Sequence, residues 1–127
     1  MKIFCDSSLT ENCIVVNGET PRIEYYHDKP TVNEGEYRAV MRALLYAKTH
    51  QSLAVWVETD SLLVVNQLYS KWECKKPHLK ALRDEMLKLM AEWKGLAIVT
   101  WVPREENPAG IALEKIYKKR LAHPNRG

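Results

Sequence analysis

The sequence contains few cysteines and no long apolar run, and each of these absences excludes a class of protein. Cys5, Cys13 and Cys74 are odd in number and form no CxxC pair, which argues against a disulfide framework and against a zinc cluster. Charged side chains arrive early, at Lys2 and Asp6, and no apolar stretch approaches the length of a membrane span. These features predict neither a signal peptide nor a transmembrane helix. We therefore expect a soluble protein of the reducing cytoplasm.

A strong excess of one charge is also absent. The formal net charge is +3, with 46% hydrophobic and 28% charged residues, a balance typical of globular proteins. So mild a charge permits an anionic partner without requiring one. A chain of 127 residues without internal repeats suits a single domain. We place that domain at residues 1–122 and predict a flexible C-terminal tail at residues 123–127.

The pattern of apolar residues predicts the order of the secondary structure elements. Residues 2–6, 13–16 and 22–27 are short β-rich segments, and the hairpin signal Asn17-Gly18 separates the second from the third. Apolar residues at helical spacing from Asn33 onward predict a helix over 33–49. Further segments predict a strand at 53–57, helices at 60–69 and 77–95, a strand at 96–102 and a helix from Pro108. The order β-β-β-α-β-α-α-β-α predicts an α/β fold with a five-stranded mixed sheet flanked by helices.

Three acidic residues, Asp6, Glu36 and Asp60, lie where predicted strands end or predicted helices begin. Each also has a purely structural explanation. Asp6 precedes two serines and suits a turn. Asn33 and Glu36 have the spacing of a helix capping pair. Asp60 suits the N-cap of the helix that follows it.

The predicted sheet brings these three acids together. If the first and fourth strands are neighbours, Asp6 and Asp60 lie at the same sheet edge, where open α/β sheets bind their ligands. The first turn of helix 33–49 brings Glu36 to the same place. Three carboxylates at one place repel one another unless a cation neutralises them. Hard oxygen donors without a nearby Cys or His cluster favour Mg²⁺ or Mn²⁺ over zinc.

Four features of the sequence occur together in one order: Asp6 in the first strand, and then the segments TVNEGEYRA (31–39), DSLLVVNQL (60–68) and WVPREEN (101–107). In this order they resemble the type 1 ribonucleases H, from Met1 to about Leu121. The resemblance implies a ribonuclease H-like fold and hydrolysis of the RNA strand of RNA–DNA hybrids with Mg²⁺ or Mn²⁺. It also implies that Asp6, Glu36 and Asp60 are the catalytic metal ligands.

The sequence departs from that family at two places. Ile111 occupies the position of the family's fourth carboxylate, and an isoleucine side chain has no atom that can bind a cation. Glu114, Glu105 and Glu106 are the nearby acids that could replace it. The loop at residues 7–12 is also shorter than the family's glycine-rich loop, which helps distinguish RNA from DNA. A catalytically impaired nucleic-acid-binding module with the same fold is therefore the alternative to an active enzyme.

The resemblance also implies a nucleic-acid surface. Trp72 and its neighbouring lysines suit base stacking combined with phosphate neutralisation. Alternatively, Trp72 covers the core and the lysines are simply solvated. We expect a protein that works as a monomer on nucleic acid, with RNA–DNA hybrids as the preferred partner. The predicted substrate contacts are Thr31, Asn33, Asn66, Trp72 and Lys75.

Overall fold

Five strands and four α-helices follow one another in the predicted order in a computed structural model that describes residues 1–122. The strands are β1 (Lys2–Ser7), β2 (Glu11–Val16), β3 (Arg22–Tyr25), β4 (Ala54–Thr59) and β5 (Leu96–Trp101). The helices are α1 (Val32–Thr49), α2 (Leu62–Leu68), α3 (Pro77–Ala91) and α4 (Pro108–Ala122), with a 3₁₀ turn at Arg104–Glu106. The predicted tail at residues 123–127 lies outside the described residues.

The five strands form one mixed sheet with the order β3-β2-β1-β4-β5. Strand β1 pairs antiparallel with β2 and parallel with β4, and β4 pairs parallel with β5. Cys5 lies opposite Thr59 in the β1–β4 register. The next residues along these two strands, Asp6 and Asp60, therefore leave the same edge of the sheet. The predicted neighbouring of the first and fourth strands is confirmed.

The main core lies between one face of the sheet and α1. Tyr37, Val40 and Leu44 of α1 are fully buried and belong to the same cluster as Ile3 of β1 and Val57 of β4. Burial of apolar side chains of this size contributes roughly 1.5–3 kcal/mol each. Residues from α2 and α3 complete this layer. The apolar stripe that predicted the helix is thus the surface that fixes α1 on the sheet.

Helix α4 covers the opposite face of the sheet. Side chains alternate between the two faces along a strand, and Cys13 and Val15 of β2 form a second cluster with Ala109 and Leu113 of α4. Ile14 and Val16 of the same strand belong to the main core. The sheet is therefore packed on both sides near its centre. Within residues 1–122, no helix combines the length and apolarity needed to cross a membrane.

Several element boundaries differ from the prediction by one or more residues, and the ends of β4 and α3 are two of them. Strand β4 continues to Thr59, two residues beyond the predicted end, because Glu58 pairs with Phe4 on one side and with Thr100 on the other. Pairing with two neighbours satisfies the backbone of this polar segment, and that outweighs its lack of apolar character. Helix α3 ends at Ala91 rather than at Gly95.

Candidate active site

The carboxylates of Asp6 and Asp60 lie side by side at the sheet edge, next to the first turn of α4. A methyl group added to Gly110 would lie 2.9 Å from Oδ2 of Asp6 and 3.5 Å from Oδ2 of Asp60. The side-chain nitrogen of Asn107 donates to Oδ2 of Asp60 at 3.2 Å and to the carbonyl oxygen of Cys5 at 2.9 Å. Asn107 thereby ties the start of α4 to both strands. The predicted convergence of the two aspartates is present in the structure.

The two aspartates are costly to ionise together. Burial, together with the negative charge of Asp60, raises the pKa of Asp6 to about 7. Burial likewise raises the pKa of Asp60, against the opposing effects of the Asn107 hydrogen bond and the Arg104 charge. Partial burial without a bound cation therefore leaves two carboxylates that hold protons more tightly than usual. A cation between them would remove this cost.

Glu36 approaches the same place from the first turn of α1. Its Oε2 accepts a hydrogen bond of 2.6 Å from the hydroxyl of Ser61, the residue after Asp60. Burial raises the pKa of Glu36, the Ser61 hydrogen bond lowers it, and the charge of Asp60 raises it. As the side chains are placed, no three His, Cys, Asp or Glu residues within 1–122 are grouped so that they could hold a metal ion. The structure thus joins two of the predicted ligands and holds the third beside them through Ser61.

The structural explanations for these acids do not apply. Asp6 lies within β1, paired with Cys13, rather than in a turn. The capping box of α1 consists of Thr31 and Glu34, so the capping pair expected at Asn33 and Glu36 is wrong.

The N-cap of α2 is Ser61, whose hydroxyl accepts from the backbone nitrogen of Val64 at 3.2 Å, so Asp60 does not fill the capping role expected of it. Helix capping therefore accounts for neither Glu36 nor Asp60, and a turn does not account for Asp6.

The residues present fit a hard divalent cation. Carboxylate oxygens are the donors that Mg²⁺ and Mn²⁺ prefer. Because Gly110 has no side chain, open space lies beside Oδ2 of Asp6, and even a methyl group at Gly110 would fill it. Asp6, Asp60 and, after release from Ser61, Glu36 are the residues that could hold such an ion.

The predicted substrate residues belong to the start of α1, to α2 and to the segment that follows α2. Thr31 is exposed at the N-terminus of α1, where its hydroxyl accepts from the backbone of Glu34, and Asn33 is half-buried in the first turn. The backbone oxygen of Asn66 in α2 accepts from the backbone nitrogens of Lys71 and Trp72. These contacts place Asn66 and the segment after α2 in one local structure.

Trp72 is on the surface. Its side chain is 47% exposed, and it belongs to neither core cluster of the described residues. Its exposed part is available for stacking. Lys75 is exposed and pairs at 3.1 Å with the equally exposed Glu73, an interaction that contributes little and leaves the ammonium group free to bind a phosphate.

Three residues of this site have no place in the predicted ligand set: Arg104, Asn107 and Gly110. A glycine in the first turn of a helix is unfavourable for helix formation, and such a glycine can indicate the close approach of another group. Asn107 is fully buried, and its contacts with Cys5 and Asp60 join residues 102 and 47 positions apart, so only the folded structure reveals them. Ile111, the position of the family's fourth carboxylate, is 40% exposed.

Comparison with known proteins defines the class. The chain superimposes on RNase H1 from the halophilic archaeon Halobacterium salinarum NRC-1 with a TM-score of 0.76 and 22% identity, covering 93% of this chain and 97% of that one. LC11-RNase H1, isolated from compost and solved in complex with an RNA/DNA hybrid, gives 0.73 and 23%, covering 94% and 98%. The N-terminal RNase H domain of Rv2228c from Mycobacterium tuberculosis gives 0.67 and 21%, covering 93% and 97%. No curated protein sequence matches this chain significantly.

These similarities establish a ribonuclease H-like fold, as the sequence predicted. The sequence profile of the family described as "Reverse transcriptase-like" matches residues 21–115, which is most of the chain. The protein therefore belongs to this reverse transcriptase-like family of ribonuclease H-like domains.

Proposed function

We propose that this protein is a metal-dependent endoribonuclease that hydrolyses the RNA strand of RNA–DNA hybrids. The observation on which the proposal depends is the half-buried pair of Asp6 and Asp60 beside Gly110, at the carboxyl ends of two parallel strands. Membership of the family supports a nuclease. A protein with the same fold, LC11-RNase H1, has been solved with an RNA/DNA hybrid, which supports this class of substrate.

Each side chain has a role that follows from its contacts. Bound Mg²⁺ or Mn²⁺ would supply an activated water and charge stabilisation for phosphodiester hydrolysis. Asp6 lies beside Asp60, and the two carboxylates would hold the ion together. Asn107 holds Asp60 in orientation through its 3.2 Å hydrogen bond. Glu36 would join them once its hydrogen bond with Ser61 is released.

The substrate surface extends from the sheet edge along two helices. Thr31 and Asn33, at the start of α1, are the proposed contacts nearest the carboxylates, because Glu36 lies one helical turn after Asn33. Asn66, Trp72 and Lys75 form the second part, on α2 and the segment after it. Exposed Trp72 offers a stacking surface and Lys75 a positive charge, the combination that favours a nucleic-acid strand.

The direct test is cleavage of a hybrid with a labelled RNA strand in Mg²⁺ or Mn²⁺. Wild-type protein should cut the RNA strand and leave the DNA strand intact, and EDTA should stop the reaction. Asp60→Asn should reduce the rate by about 100-fold or more, because a ligand of the ion is lost. Asp84→Asn is the matched control, since the side chain of Asp84 is 57% exposed and, among the described residues, pairs only with Arg83. Folded wild-type protein that cuts nothing with either metal would contradict the proposal.

A second candidate function is a nucleic-acid-binding module with impaired catalysis. The observation that favours it is Ile111, whose position provides no oxygen for a cation. In that case wild-type protein binds hybrid without cutting it, and Ile111→Asp raises cleavage strongly. Brisk wild-type turnover that Ile111→Asp does not improve would exclude this candidate.

A further inference from the structure

A cavity of about 510 Å³ opens beside the aspartate pair, between the β1–β2 turn and α4. Asp6 and Arg104 line it at the sheet edge, and Gly110, Glu114 and Tyr117 line it along α4. The space around Asp6 therefore continues past Gly110 along the helix and reaches Glu114. Because Gly110 has no side chain, nothing at that position separates the carboxylate of Asp6 from that of Glu114.

Besides Asp6, two carboxylates line this cavity, and one of them is already neutralised. Glu11 is 2% exposed, and its two oxygens accept from Arg120 at 3.2 and 3.0 Å and from the hydroxyl of Thr10 at 2.7 Å. Within residues 1–122, Glu114 has only an ion pair with Lys118 at 3.1 Å, and both side chains are more than half exposed. An exposed pair of this kind contributes little, so Glu114 is free to turn towards the cavity.

The geometry of a helix directs Glu114 towards Gly110. Side chains on an α-helix lean towards its N-terminus and cover the turn before their own Cα. Glu114 is four residues after Gly110 and three after Ile111, so it shares one helix face with both. Because Gly110 has no side chain, a glutamate can extend over it to Oδ2 of Asp6. An aspartate at position 114 would be shorter by one methylene.

We propose that Glu114 completes the cation site on the Asp6 side and replaces the carboxylate that position 111 lacks. This inference rests on the proposed function, because it assumes that Asp6 and Asp60 bind a divalent ion. It moves the cation ligand of α4 from position 111 to Glu114, one helical turn later. The presence of isoleucine at position 111 is then compatible with an active site.

The test is Mn²⁺ affinity of the full chain at pH 8, measured from the electron paramagnetic resonance signal of free Mn²⁺. Glu114→Gln should weaken Mn²⁺ binding by about 10-fold or more, the usual effect of losing a group that orients or binds a metal. Glu105→Gln and Glu106→Gln are matched controls, because both remove one exposed negative charge near the site. They should change the affinity less than about twofold if the effect of Glu114 is direct coordination.

A rescue variant separates coordination from a structural role. Ile111→Asp added to Glu114→Gln should restore Mn²⁺ affinity, because it returns a carboxylate to the same helix face. Equal affinities of wild type and Glu114→Gln, or equal losses in the Glu105→Gln control, would overturn the role of Glu114 and leave the proposed function standing. Wild-type protein that binds no Mn²⁺ would overturn both.

Discussion

Replacing Asp6 by asparagine should stabilise the metal-free protein at alkaline pH. Burial, reinforced by the charge of Asp60, raises the pKa of Asp6 to about 7 from an ordinary value of 3.8. Between these two values the folded protein binds a proton that the unfolded chain has lost. The free energy of unfolding therefore falls as the pH rises through this window, and stays lowered above it. Asparagine has nearly the same shape and no charge, so the variant avoids this loss.

The size of the effect follows from the displacement of the pKa. A change from 3.8 to about 7 corresponds to about 4 kcal/mol at a pH well above 7. Asp6 and Asp60 titrate as a pair, so part of this cost remains with Asp60 in the variant. We expect the Asp6→Asn protein to be more stable than wild type by roughly 1–3 kcal/mol at pH 8 and by much less near pH 4.

Urea unfolding followed by tryptophan fluorescence, at pH 4 and pH 8 in EDTA, measures this difference. Adding Mg²⁺ at pH 8 should stabilise wild type and not the variant, because binding to the folded state alone raises stability.

Asp28→Asn is a control of opposite sign. Arg38 donates to both oxygens of Asp28 at 2.8 Å and lowers its pKa, so this variant should be the less stable protein at pH 8. An Asp6→Asn protein that is less stable than wild type at pH 8, or a difference that does not shrink towards pH 4, would refute the reasoning.

Three further substitutions test single contacts of the site. Gly110→Ala should retain the fold and weaken Mn²⁺ binding about 10-fold, because its methyl group would lie 2.9 Å from Oδ2 of Asp6. Thermal shift with and without Mn²⁺ measures both stability and binding, and unchanged Mn²⁺ binding would contradict this steric effect. Ser61→Ala should lower the free energy of unfolding by about 1 kcal/mol through loss of the α2 cap, as measured by urea unfolding. The same variant should raise the pKa of Glu36, which loses its hydrogen-bond donor, as measured by carboxyl NMR titration. Trp72→Ala should weaken hybrid binding by about 1–3 kcal/mol without loss of stability, as measured by fluorescence anisotropy and urea unfolding, and unaltered affinity would remove Trp72 from the substrate surface.

The fold could be predicted because each element has a local signal. The apolar run of β4 and the stripe of Tyr37, Val40 and Leu44 in α1 are patterns of the element itself. Two neighbouring parallel strands then follow from the order of elements, and with them the meeting of Asp6 and Asp60. These two carboxylates could be predicted for the same reason, since each one lies at the end of such a strand.

The remaining details of the site depend on contacts between distant parts of the chain. The hydrogen bond of Glu36 to Ser61 joins residues 25 apart, and that of Asn107 to Cys5 joins residues 102 apart. No local pattern indicates either. The capping error is of another kind, because the spacing of Thr31 and Glu34 fits the capping box as well as that of Asn33 and Glu36.

The most direct measurement of the cation site is an anomalous difference map from crystals grown with Mn²⁺ at pH 8, where Asp6 is largely ionised. We predict a peak within about 2.5 Å of carboxylate oxygens of both Asp6 and Asp60, with Glu36 turned away from Ser61 towards the ion. An ordered structure with no peak between the two aspartates, and with Glu36 still bound to Ser61, would contradict the metal site and the activity proposed from it.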